Sequence, residues 1–121
     1  MTKVYVTNKS AHDFSQAKKY GELHYLSRGS INRYSTNRMY RMFVEALAES
    51  KEEDYLLPTG LSTMNLIAAV IFGLKHKRLN LLLFKDGGYV ERTLVFDEDL
   101  VMIDKLSSCL ENDFAKALLK G

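Results

Sequence analysis

The sequence has no tryptophan, one proline, one cysteine and no long apolar run. Each scarcity removes a class of protein. With Cys109 alone, neither an internal disulfide nor a cysteine zinc cluster can form, and a cytoplasmic setting is the expectation. No apolar stretch approaches the roughly 20 residues needed to cross a bilayer, so no membrane association is expected. Alternation begins at once in Met1-Thr2-Lys3-Val4-Tyr5-Val6, and no signal peptide is expected ahead of it. The pattern Gly-x-x-x-x-Gly-Lys-[Ser/Thr] is absent, which excludes a P-loop. No Gly-x-Gly-x-x-Gly follows the first strand, which argues against a dinucleotide redox cofactor. His12, His24 and His76 are scattered, with no carboxylate at helical spacing, so neither a metal nor another cofactor is expected.

What remains is an ordinary globular composition, 46% hydrophobic and 26% charged. The length of 121 residues fits a single α/β domain over 1–121. Val4-Tyr5-Val6 reads as a strand. Ser10 or Asp13 then caps a short helix through Phe14–Tyr20, stopped by Gly21. Leu23–Leu26 reads as a second strand. Ser35 or Thr36 opens a helix to about Ser50, with Met39, Met42, Phe43, Ala46 and Leu47 as its core stripe. The acids that crowd its end, Glu49, Glu52, Glu53 and Asp54, belong to a solvated turn, because the helix dipole does not favour them there. Tyr55-Leu56-Leu57 reads as a third strand, and Ser62 or Thr63 opens a helix to His76. The middle of that helix, 66–72, is apolar nearly all round, so it should be central or lie at a subunit interface. Leu79–Phe84 and Tyr89–Phe96 pair through the turn Asp86-Gly87-Gly88. A last helix through Leu119 carries the stripe Leu100, Ile103, Leu106, Leu110, Phe114 and Leu118. The order is β-α-β-α-β-α-β-β-α: a small Rossmann-like, mostly parallel sheet with an antiparallel edge hairpin and a C-terminal helix.

In such sheets ligands bind at the carboxyl ends of parallel strands. That rule gathers Asn8, Lys9, Ser10, His12 and Asp13 after the first strand. It adds Arg28, Gly29, Ser30, Asn32 and Arg33 after the second, and Thr59, Gly60, Ser62, Thr63 and Asn65 after the third. Hydroxyls, amides, glycines and cations are the groups that hold phosphate or carboxylate oxygens. Thr59-Gly60-Leu61-Ser62-Thr63 joins a buried strand to a helix N-terminus, where free N–H groups and the dipole attract an anion. The ordinary alternative is a capped turn with no ligand. Charge agrees with an anionic ligand on the first part of the chain: residues 1–40 hold seven Lys/Arg against Asp13 and Glu22, and 97–121 hold three Lys against six acids. Tyr34 beside Arg33 offers a stacking surface. His12, Asp13 and Lys9 form the candidate acid–base group, while His24 and Cys109 read as structural and His76 as a dipole partner at its helix end.

In architecture the layout resembles small Rossmann-like domains that bind nucleotide signals. These include CARF-type sensors of cyclic oligonucleotides, ring nucleases, and viral proteins that sequester immune second messengers. The resemblance rests on Asn8-Lys9-Ser10, on Thr59–Thr63 and on the apolar helix at 66–72, and covers about residues 3–96. It implies a homo-oligomer that senses or sequesters a nucleotide or cyclic nucleotide, in a viral or host-defence setting. The first expectation is therefore ligand binding without turnover by Asn8, Lys9, Ser10, Arg28, Arg33, Tyr34, Thr59, Gly60, Ser62 and Thr63. The alternatives are a metal-independent phosphodiesterase or ring nuclease using His12, Asp13 and Lys9, and a module that inhibits a protein partner. Nucleic acid ranks lower as a partner, since the net charge is only +2.

Overall fold

The computed structural model describes residues 1–96. The helix expected over 97–119, its apolar stripe and Cys109 lie outside the described residues. Within them run β1 (Lys3–Val6), the 3₁₀ helix Ser15–Tyr20, β2 (Glu22–Tyr25), α1 (Thr36–Ala46), β3 (Tyr55–Leu57), α2 (Ser62–His76), β4 (Arg78–Lys85) and β5 (Gly88–Val95). One sheet takes the order β2-β1-β3-β4-β5. The first four strands are parallel, and β5 returns antiparallel along the edge. The α/β class and the edge hairpin are those expected from the sequence.

The turn chemistry explains the hairpin. Asp86 and Gly87 sit at φ 50° and 79°, the left-handed pair that a two-residue turn between twisted strands requires. In β1 and β3 every residue after Lys3 is aliphatic or aromatic and most are buried, as strands covered on both faces must be. One face packs under α1 and α2, through Met39, Phe43 and Leu47 and through Met64, Ala68 and Phe72. The other face, Val4, Val6, Leu57 and Leu82, is covered by Phe14 and Ala17 from the 3₁₀ segment. The side of each crossover follows from handedness. The chain steps outward from β1 to β2, then back past β1 to β3, and right-handed connections in opposite directions lie on opposite faces. No described helix is long and apolar enough to cross a membrane.

Four local expectations need correction. The first helix is 3₁₀ rather than α, because it holds only six residues before Gly21 ends it. The helix expected to reach Ser50 stops at Ala46, where Ser50 Oγ donates to Leu47 O at 2.7 Å and Lys75 Nζ donates to the same oxygen at 2.9 Å. Those two side chains satisfy carbonyls that a further turn would have used. Asp54 is not in a solvated turn: it is 1% exposed, and its carboxylate accepts Lys3 N at 2.9 Å and Lys51 N at 2.8 Å. Finally, of the two places expected for α2 the central one does not hold, because within this chain the helix packs on one side only. Leu66, Val70 and Leu74 lie at 68%, 56% and 67% exposure on its outer face.

Candidate functional site

The order β2-β1-β3 places the reversal of winding between β1 and β3, the position where the flanking loops part and leave a crevice at the strand ends. Thr7 stands at its floor. Its hydroxyl accepts Thr59 N at 2.8 Å and lies 2.6 Å from both Thr59 O and Asn65 Oδ1, while Thr59 N also reaches Asn65 Oδ1 at 3.1 Å. The loops after β1 and β3 are thereby joined. Gly60, at φ +80°, completes the join: a Cβ there would lie 3.2 Å from Asn8 Cβ and from Met64 Sδ. Its freedom serves the close approach of two loops.

The loops after β1 and β2 are joined as firmly. Lys9 N donates to Ser27 O at 2.8 Å and Gly29 N to Lys9 O at 3.3 Å, extending the parallel pairing beyond the strands. Asn8 Nδ2 donates to Gly29 O at 3.1 Å, and Ser27 Oγ, buried, reaches Asn8 Oδ1 at 3.0 Å. Asn8 is buried and spent on this network. The side chains of Lys9 and Arg28 point to one ring, Tyr25, at 5.4 and 5.6 Å from its centroid. Neither cation meets a carboxylate within salt-bridge distance among the described residues.

Both long helices begin at this same edge. Neither Ser35, the residue before α1, nor Leu61, the residue before α2, makes a side-chain capping bond, and neither first turn contains an acid. The N-cap position of α2 falls on Leu61, so Ser62 and Thr63 are helical and leave their first-turn N–H groups without a side-chain cap. Arg33, Tyr34 and Ser10 are exposed around the edge, Tyr34 at 82%. Ser10 Oγ accepts His12 N at 3.3 Å.

A cleft of about 360 Å³ opens on the 3₁₀ side of the edge, lined by His12, Asp13, Phe14, Thr59, Phe84 and Tyr89 over a floor of Leu57 and Pro58. Phe84 meets Tyr89 edge-on at 5.7 Å, and His12 meets Phe14 at 6.3 Å. The Asp13 carboxyl is held below its ordinary pKa, chiefly by the backbone N–H of Ser15, which donates to Oδ1 at 2.9 Å. Of the acid–base candidates, His12 and Asp13 share this cleft, and Lys9 stands with Arg28 on Tyr25. Phe84 and Tyr89 were not singled out from sequence. Their signal was available, since the end of β4 and the start of β5 must fall at the same sheet edge as the ends of β1 and β3.

His24 lies in β2 with its ring 5.7 Å from that of Tyr5. His76 is not a cationic dipole partner. Its ring packs on Phe72 at 4.5 Å, and its Nε2 lies 2.8 Å from Ser50 Oγ. Since Ser50 donates to Leu47 O, His76 Nε2 is the donor in that pair. Desolvation, then the neighbouring Lys75, lowers its pKa. No group of three or more His, Cys, Asp or Glu poised for a metal occurs among the described residues.

The family model of the Phage Pam3 gp32-like protein matches residues 2–95. No curated protein and no solved structure matches the chain.

Proposed function

The chain belongs to the Phage Pam3 gp32-like protein family, and from its strand-end geometry we propose that it binds a phosphate-bearing small molecule of the nucleotide class. The carrying observation is the pair Lys9 and Arg28. Two cations face one ring at the carboxyl edge, on loops locked in register, with no described carboxylate bridging to either. Like charges held side by side are stabilised by an anion between them. The helix N-termini at Thr36 and Ser62 add unpaired backbone donors to the same edge. Ser10, Arg33, Ser62 and Thr63 border it as polar, accessible groups, whereas Asn8, Thr59 and Gly60 act by shaping it.

The ligand is held rather than cleaved. The Asp13 carboxylate already serves the N–H of Ser15, so it orients a turn rather than a histidine. On this reading the chain sequesters or senses a nucleotide.

Thermal denaturation with a panel of nucleotides and cyclic oligonucleotides tests the reading. A compound present at a hundred times its Kd adds about 2.7 kcal/mol to stability. A Lys9→Glu/Arg28→Glu variant should fold and lose that gain. If no phosphorylated compound raises the melting temperature of the unaltered chain, the proposal fails. Chromatography of the released compound separates holding from cleavage.

A further inference from the structure

Phe84 is 70% exposed near the end of β4, a strand that buries Leu79, Asn80 and Leu82 earlier in its course. It stands against Tyr89 at the mouth of the 360 Å³ cleft, with Phe14 in the same wall lining. Exposed aromatic surface beside a concavity is where a planar ligand gains most, since stacking adds to the area removed from water. The volume falls within the range of clefts that hold small organic ligands.

The cleft's acidic wall sets the polarity of that ligand. Asp13 lines it with an exposed carboxylate; Ser15 bonds the group through its backbone N–H and its side chain, and a carboxylate of about four lone-pair sites still has room to accept. An ionised carboxylate only accepts. A ring that brings N–H donors is the one this wall favours, as adenine, cytosine and guanine do with their exocyclic amino groups. Uracil presents its single N–H between two carbonyl oxygens, which the carboxylate repels. Thr59 belongs both to this cleft and to the loop that opens α2, so ring and phosphate sites adjoin.

We propose that the cleft between Asp13, Phe14, Phe84 and Tyr89 receives the amino-bearing base of the nucleotide. The assignment rests on the reading of the edge as a phosphate site. It places the base in the cleft rather than on Tyr34, which does not line it.

Calorimetric titration of the full chain tests it, with AMP, GMP, CMP, UMP, ribose 5-phosphate and the unphosphorylated nucleosides as probes. At least one amino-bearing nucleotide should bind ten times or more tightly than UMP and ribose 5-phosphate. Phe84→Ala should abolish that advantage while leaving the melting temperature and ribose 5-phosphate binding unchanged. Asp13→Asn, which retains an acceptor for Ser15 N, should reduce AMP, GMP and CMP to the level of UMP. If every phosphorylated probe binds alike, or Phe84→Ala binds nucleotides normally, the base assignment is overturned and the phosphate reading survives. If nucleosides bind as tightly as nucleotides and ribose 5-phosphate does not bind, the phosphate reading falls and the base assignment stands. Absence of all binding overturns both.

Discussion

Replacing Thr7 with valine keeps the side-chain shape and deletes one hydroxyl. That hydroxyl is fully buried, accepts Thr59 N at 2.8 Å and donates its single hydrogen to Thr59 O or Asn65 Oδ1, each 2.6 Å away. Thr7→Val therefore removes two hydrogen bonds at a time, each with a net value of about 1 kcal/mol. Thr59 N retains Asn65 Oδ1 at 3.1 Å, so no donor is orphaned, but one acceptor is left dry at about 1 kcal/mol more. The expected loss is about 2–3 kcal/mol. At roughly 3–6 °C per kcal/mol for a domain between the 100- and 150-residue classes, the melting temperature should fall by roughly 6–18 °C. Thr7→Ser is the control, since it keeps the hydroxyl and gives up one buried methyl, about 1 kcal/mol. Urea unfolding followed by circular dichroism reads both. A valine variant within about 0.5 kcal/mol of the parent, or a serine variant costlier than valine, would refute the view that this hydroxyl joins the two loops.

Gly60→Ala should destabilise by about 1–2 kcal/mol, because it sets a Cβ in the left-handed region and against Asn8 and Met64; Met64→Ala, which removes the sulfur from that contact, should recover part of that loss in a double-mutant cycle. Gly73→Ala drives a methyl into the Phe96 ring, which packs on that glycine; thermal scans should show a loss for the single variant and a smaller one in a Phe96→Ala background. His76 has a lowered pKa in the folded chain, so the unfolded state binds its proton first as pH falls. Its contribution is fully present above about 6.5, the unfolded value, and declines as pH drops through the folded value. Urea midpoints between pH 5 and 8 should show that slope, and His76→Gln should flatten it.

Much of the fold was legible because periodicity and turn chemistry speak locally. The stripe Met39–Phe43–Leu47 and the pair Asp86-Gly87 each name an element without reference to the rest of the chain. The bounds of α2, Ser62 and His76, followed in the same way from an apolar run and a basic end. What stayed hidden depends on contacts distant in sequence. Asp54 reads as one more surface acid until β1 brings Lys3 N to it. His76 reads as a cation until Phe72 and Ser50 enclose it. For the site, the strand-end rule found the loops and their cations, but it could not show that Asn8 and Gly60 are used between loops. The aromatic wall of Phe84 and Tyr89 was missed because the hairpin was read as an edge and not as part of the binding end.

The central position of β1 has a kinetic side. Its partner β2 follows soon after, but the carboxylate that pins Lys3 lies 51 positions away. The β4–β5 ladder closes through a two-residue turn and can form within microseconds. Pairing β1 with β3 must first overcome the entropy of closing a long loop, the kind of non-local contact that slows folding. A nascent chain that has not yet delivered Asp54 holds its most buried strand with no lasting partner on that side. Val4, Tyr5 and Val6 then stand open to chaperones, or to the same segment of another chain, until the third strand emerges.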